Sequence, residues 1–268
     1  MAEALWKMNL YSCMLILYVL VVRRVIRKYS KLFSYSLWVL VAARLWVPVF
    51  LNGPFSIRPI LLAGFTGNIL PADVTAVLKV LYFLGVFAVA GMFMSQYWKT
   101  RSQVRLAVRE TKNIWRCEGS SSAFVMGLIH PRIYLPYGLE GTKQWYVVQH
   151  EKMHIRHGDP WISAAAMVTL CLHWWNPLVW YSACRMWEDM EMYCDEAVLE
   201  ECAGQEKKIY SEILLELSAS QSGFPALCFG KSHTERRIRN LLQGCRKEHL
   251  WFRFLYMFAI NLSVWLLF

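Results

Sequence analysis

In the stretch QWYVVQHEKMHIRHGDP, residues 144 to 160, His150 and His154 stand four apart and Glu151 directly follows the first. On a helix, residues i and i+4 share a face one turn apart, so both imidazoles can aim a ring nitrogen at one ion, with Glu151 beside it but not bound to it. The preceding LEGTKQWYVVQ holds few helix breakers, and Gly158, Asp159 and Pro160 supply a stop. A catalytic zinc takes three protein ligands and keeps one position open for water, whose pKa it lowers toward about 7. A carboxylate placed as Glu151 is can take the proton of that water and return it to the leaving amine of a cleaved peptide.

The third ligand has its best candidates in WEDMEMYCDEAVL, residues 187 to 199. Glu191 and Asp195 form a second i,i+4 pair on an expected helix, with Glu191 as metal ligand and Asp195 behind it, orienting a histidine or the ligand. Glu188, one turn before Glu191, is the rival ligand. The longer metzincin pattern is excluded, because it needs Gly and His where this chain has His157 and Pro160. His130, His157 and His173 are therefore read as packing or loop histidines. Upstream, residues 120 to 136 (SSSAFVMGLIHPRIYLP) read as two short strands around a turn at His130-Pro131. The part from Ala123 to Gly127 is either an ordinary sheet edge or an edge that holds an extended substrate peptide.

These residues need a scaffold, and the rest of the chain is strongly apolar: 56% hydrophobic and 15% aromatic over 268 residues. Four stretches, roughly 5 to 22, 33 to 52, 78 to 98 and 250 to 268, reach the length of about 20 apolar residues that crosses a bilayer. Arg23, Arg24, Arg27, Lys28 and Lys31 follow the first, and Lys99, Arg101, Arg105 and Arg109 follow the third. The positive-inside rule puts both links in the cytoplasm, with both termini outside. The formal charge of +10 is thus read as membrane-flanking charge, with no direct nucleic-acid partner, since no nucleic-acid motif accompanies it. The N-terminal stretch reads as a retained anchor. Arg44 interrupts the second span, as a packed, snorkelling or functional residue.

A further apolar run from 161 to 183 is expected to fold back at Asn176-Pro177, because a continuous span would carry Glu191 about 30 Å from the histidines. The eight cysteines form no Cys-x-x-Cys pair and are expected to be reduced.

Together with the four spans, the motifs VMGLIHPRIYLP, HEKMH, NPLVW, EMYCDEAVL and the late SHTERRIRNLL, taken in chain order, resemble the BlaR/MecR-type antirepressor family, the integral-membrane zinc metallopeptidases of bacterial β-lactam sensors. The resemblance implies a gluzincin-like fold in which the first Glu of E-x-x-C-D, here Glu191, completes the metal site with Asp195 beside it. It also implies a transcriptional repressor as substrate and a penicillin-binding sensor domain after the fourth span. This chain ends at Phe268, and no lysine has a serine three residues before it, so the acylating Ser-x-x-Lys is absent from it. The signal is then expected to come from elsewhere, such as the short outer loop, a separate sensor partner, the bilayer or a sensor lost by truncation, and a homo-oligomer is a further expected partner.

The expected fold is mostly α: three spans in 1–98, a cytosolic α+β gluzincin-like peptidase domain in 99–249, and a fourth span in 250–268. The expected protein is a multi-pass zinc endopeptidase of the bacterial cell membrane, cleaving a cytosolic or membrane-proximal regulatory protein. The competing expectation is a non-catalytic membrane transducer or scaffold whose metal site is structural or vestigial.

Overall fold

The computed structural model of the chain describes residues 2–46, 72–118, 120, 122–200, 206–218, 231–243, and 256, 258 and 260. Helices α1 (Ala2–Val25) and α2 (Lys31–Trp46) make a hairpin. Ser30 starts α2 by accepting the Leu32 N–H on its hydroxyl, a side-chain cap for an orphan donor. Apolar residues recur one turn apart along both helices, so Leu15, Ile16 and Val19 bury against Leu37, Trp38 and Val41. Arg44 is buried in this bundle with its guanidinium 5.3 Å from the centre of the Tyr11 ring.

Helix α3 (Ala72–Gln103) leaves most of its apolar side chains exposed. Among the described residues, one helical stretch, Val74–Leu106, is long and apolar enough to cross a membrane. The expected first span coincides with α1 and the expected second largely with α2. The link from 47 to 71 lies outside the described residues, as does the expected last span apart from 256, 258 and 260. Tyr256 stacks edge-on against Phe33 at the base of α2.

A four-stranded sheet follows: β1 (Val108–Arg109), β2 (Ile114–Cys117), β3 (Phe124–Met126) and β4 (Arg132–Pro136), in the order β1-β2-β4-β3. The expected pair of strands within 120–136 is β3 and β4, antiparallel, and β3 is an edge strand. Gly127 turns the chain there at φ 109°, and a Cβ on it would come within 2.7 Å of the His130 carbonyl oxygen. The parallel pairing of β2 with β4 was not legible in the residue pattern.

Helix α4 (Gly141–His157) ends where Gly158 takes the left-handed conformation at φ 74°, and α5 (Asp159–Leu172) starts at once with Pro160 in its first turn. The apolar run from 161 does not continue as one helix. It breaks at residues 173 to 176, and Asn176 caps α6 (Pro177–Glu200) by accepting the Leu178 N–H on its side-chain oxygen at 3.0 Å. Helices α7 (Glu206–Ser218) and α8 (Lys231–Gln243) close the described fold.

Two hydrophobic cores result. One joins α1, α2, α5 and the first half of α6, including Leu170, Val179 and Trp187; the other joins the sheet with α4, α7, α8 and the second half of α6, including Leu135, Tyr146, Cys194 and Val198. Each fully buried Leu, Val or Ile contributes about 1.5–3 kcal/mol. Helix α6 therefore belongs to both cores. Of the described cysteines, Cys13, Cys117, Cys171 and Cys194 are free, whereas Cys184 is disulfide-bonded, a departure from the expectation of reduced thiols.

Candidate metal centre

The junction of the two cores holds the polar residues singled out above. His150 and His154 project from one face of α4, and their Nε2 atoms lie 3.1 Å apart. Glu191 on α6 faces them, with Oε2 3.3 Å from Nε2 of His150 and Oε1 3.5 Å from Nε2 of His154. His150, His154 and Glu191 together could hold a metal ion.

Each imidazole is fixed from behind. Asp159, the first residue of α5, accepts from Nδ1–H of His154 at 2.7 Å. Behind His150, Nδ1 lies 3.0 Å from the Tyr210 hydroxyl and 3.2 Å from Asp195 Oδ1, and that hydroxyl donates to the same oxygen at 2.7 Å. A proton on each Nδ1 leaves each Nε2 as a lone pair. Two lone pairs 3.1 Å apart, with a carboxylate across from both, repel one another unless a proton or a metal cation lies between them. Tetrahedral zinc with bonds of about 2.0–2.1 Å to nitrogen and oxygen sets its ligand atoms roughly 3.3 Å apart. The donor set fits zinc in type and in spacing.

The charges agree. Glu151, Asp159 and Asp195 are buried and Glu191 is nearly so, while among the described residues Arg237 on α8 is the guanidinium that meets this group. It pairs with Asp195 through Nε at 2.8 Å and Nη2 at 2.7 Å, and its Nη1 reaches Glu191 at 3.0 Å. Burial disfavours imidazolium at both histidines, yet Asp195 and Glu191 outweigh it and push His150 up to about 10, and Glu191 and Asp159 raise His154. Burial would raise the carboxyls of Glu191 and Asp195, but Arg237 and His150, joined by His154 at Glu191, hold both below the usual carboxylate range. Burial raises Glu151, against the pull of His154 and His150. Carboxylates thus outnumber fixed cations, as a divalent metal site requires.

Glu188, the rival ligand, points elsewhere: its carboxylate is paired with Arg23, Arg185 and Arg236. His157 stacks on Tyr193 at 4.4 Å between ring centres, and His173 is buried beside Asn9 and the Leu45 carbonyl. Sequence reasoning missed Asp159, Tyr210 and Arg237. Asp159 was visible only as part of a helix stop, and Tyr210 and Arg237 lie 60 and 87 positions beyond His150.

Residues 66–241 match the family described as BlaR1 peptidase M56. The regulatory protein BlaR1 of Bacillus licheniformis is 29% identical over 126 residues, which are 44% of this chain and 21% of that protein. The methicillin resistance mecR1 protein of Staphylococcus aureus is 29% identical over 102 residues, 37% of this chain and 17% of that protein, and its Staphylococcus epidermidis counterpart matches equally. The matched stretches therefore span about a fifth of these relatives or less.

Proposed function

Because this chain belongs to the BlaR1 peptidase M56 family, we propose that it is a membrane-embedded zinc endopeptidase acting in signal transduction, with His150, His154 and Glu191 as metal ligands and Glu151 as catalytic base. The observation that carries the reading is the convergence of the two Nε2 atoms and both Glu191 oxygens within 3.1–3.5 Å, each imidazole being tied at Nδ1 to a carboxylate.

Zinc, when bound, supplies Lewis acidity toward a carbonyl and toward water. The chain's own residues do the rest. Glu151 takes a proton from water as its oxygen bonds to the peptide carbonyl carbon, then delivers that proton to the amide nitrogen as the C–N bond breaks. Asp195 with Tyr210, and Asp159, hold the two ligand rings in one orientation and one tautomer. The outer edge of β3, the last strand of the sheet among the described residues, offers an extended substrate backbone hydrogen-bonding partners without reading its side chains.

The accompanying reading of the whole chain has four spans, with 99–249 as a cytosolic peptidase domain and both termini outside. BlaR1 and mecR1 are named as a regulatory and a resistance protein, and the substrate proposed here is a regulatory protein, a transcriptional repressor being the leading class. Comparative proteomics of cells carrying the intact chain or Glu151→Gln tests this: a regulatory protein should persist uncut only with the variant. Identical proteomes would favour a non-catalytic transducer.

A further inference from the structure

Helices α1 and α2 precede the region that matches the family, yet they reach the metal centre's supporting groups. On α2, Tyr35 donates its hydroxyl to Asp159 Oδ1 at 2.9 Å, while Asp159 Oδ2 accepts from His154 Nδ1 at 2.7 Å. One carboxylate, 2% exposed, thereby links a helix of the hairpin to a proposed zinc ligand, with one oxygen committed to each side.

The same hairpin grips α6 on both sides of Glu191 and Asp195. Arg23, at the end of α1, forms a two-pronged pair with Asp189 at 2.6 and 2.7 Å, and Trp38 donates its indole N–H to Asp189 at 3.0 Å. Two turns further along α6, Glu196 accepts from the Lys31 backbone N–H at 2.8 Å and from the Ser30 hydroxyl at 3.1 Å. Residues 189 and 196 share one face of the helix, and 191 and 195 share another, roughly 100–160° around the axis from the first. Rotating α6 away from the hairpin would turn Glu191 away from the histidines. Arg23, one of the basic residues flanking the first span, is thus engaged with protein carboxylates.

We propose that the α1–α2 hairpin is a positioning element of the zinc site: Tyr35 acts on His154 through Asp159, and Arg23, Trp38 and the start of α2 fix the rotation of α6 that aims Glu191. The inference rests on the zinc reading above. A ligand ring whose supporting carboxylate loses one of its own anchors binds metal less tightly, because the ring must be oriented at the moment of binding. The hairpin and the metal centre accordingly form one mechanical unit, and whatever displaces the hairpin alters zinc coordination.

Zinc affinity of the full chain in detergent, measured by competition with a chelator, tests this in wild type, Tyr35→Phe, Asp159→Asn and the double variant. Tyr35→Phe should lose about 10-fold in zinc affinity, at the low end for support of a ligand histidine, and Asp159→Asn somewhat more. The double variant should be no worse than Asp159→Asn, since the path from Tyr35 runs through Asp159. Unfolding of the zinc-free proteins, followed in parallel, should differ little between wild type and Tyr35→Phe. Wild-type zinc affinity in Tyr35→Phe overturns the inference, with or without a lowered zinc-free melting point, as do losses that multiply in the double variant. A wild type that binds no zinc defeats the underlying reading and this inference with it.

Discussion

Glu191 and Asp195, one helical turn apart on α6, share a single guanidinium: Nη1 of Arg237 lies 3.0 Å from Glu191, and its Nε and Nη2 lie 2.8 and 2.7 Å from Asp195. Removing one member of a buried ion pair costs about 3–5 kcal/mol, because the remaining charge stays out of water. Arg237→Gln should lower the stability of the zinc-free protein by that order in denaturant titrations. Added zinc should recover part of the loss, since a ligand that binds only the folded state stabilises it.

The two carboxylates should differ in their effect on metal. Glu191→Ala removes a proposed ligand and should release zinc, whereas Asp195→Asn disturbs the support of His150 and the pair with Arg237 but leaves the proposed ligands in place, and should weaken zinc binding roughly 10- to 100-fold. Tyr210→Phe, which leaves Asp195 in place, should fall below that range. Chelator competition on the three variants gives the order directly.

Glu188 provides a pH test. Burial would raise its carboxyl, but Arg185, Arg23 and Arg236 outweigh burial and hold it below the ordinary range. A folded pKa below the unfolded one contributes stability above the unfolded value of about 4.3, and that contribution is lost as pH falls further. Glu188→Gln should thus be less stable than wild type near pH 7, with the gap closing below about pH 4.3. Its zinc content should equal that of wild type. Thermal unfolding across pH 3 to 7, paired with metal analysis, checks both halves.

The orientation of the proposed spans rests on basic residues after the first and third. Reporters fused at residue 110 or 205 should read as cytoplasmic, and one near Thr66 as outside. The reverse pattern would place the peptidase outside the cell and remove cytosolic repressors from its substrates.

What the sequence disclosed and what it hid have a common cause. Spacings within one helix are local, so the His150/His154 and Glu191/Asp195 pairs could be placed on faces before any fold was known. The break before Pro177 and the β3–β4 hairpin are also local, set by proline and by a turn. Tyr35, Tyr210 and Arg237 reach the same centre from other helices, and their contacts span 124, 60 and 42 positions. No residue period encodes such contacts. Arg23 was legible only as a flanking charge, because its carboxylate partners lie more than 160 positions away. Short β1 and β2 carry too few residues for a period of two to register.

The central claim is a zinc site whose base is separate from its ligands, and metal content of purified wild type, Glu151→Gln, His150→Ala and His154→Ala tests it most directly. About one zinc per chain is expected in wild type and in Glu151→Gln, and little in either histidine variant. Peptide cleavage by Glu151→Gln should fall by about 100-fold or more despite its full metal load. Zinc retained in both histidine variants, or lost from Glu151→Gln, would contradict the account.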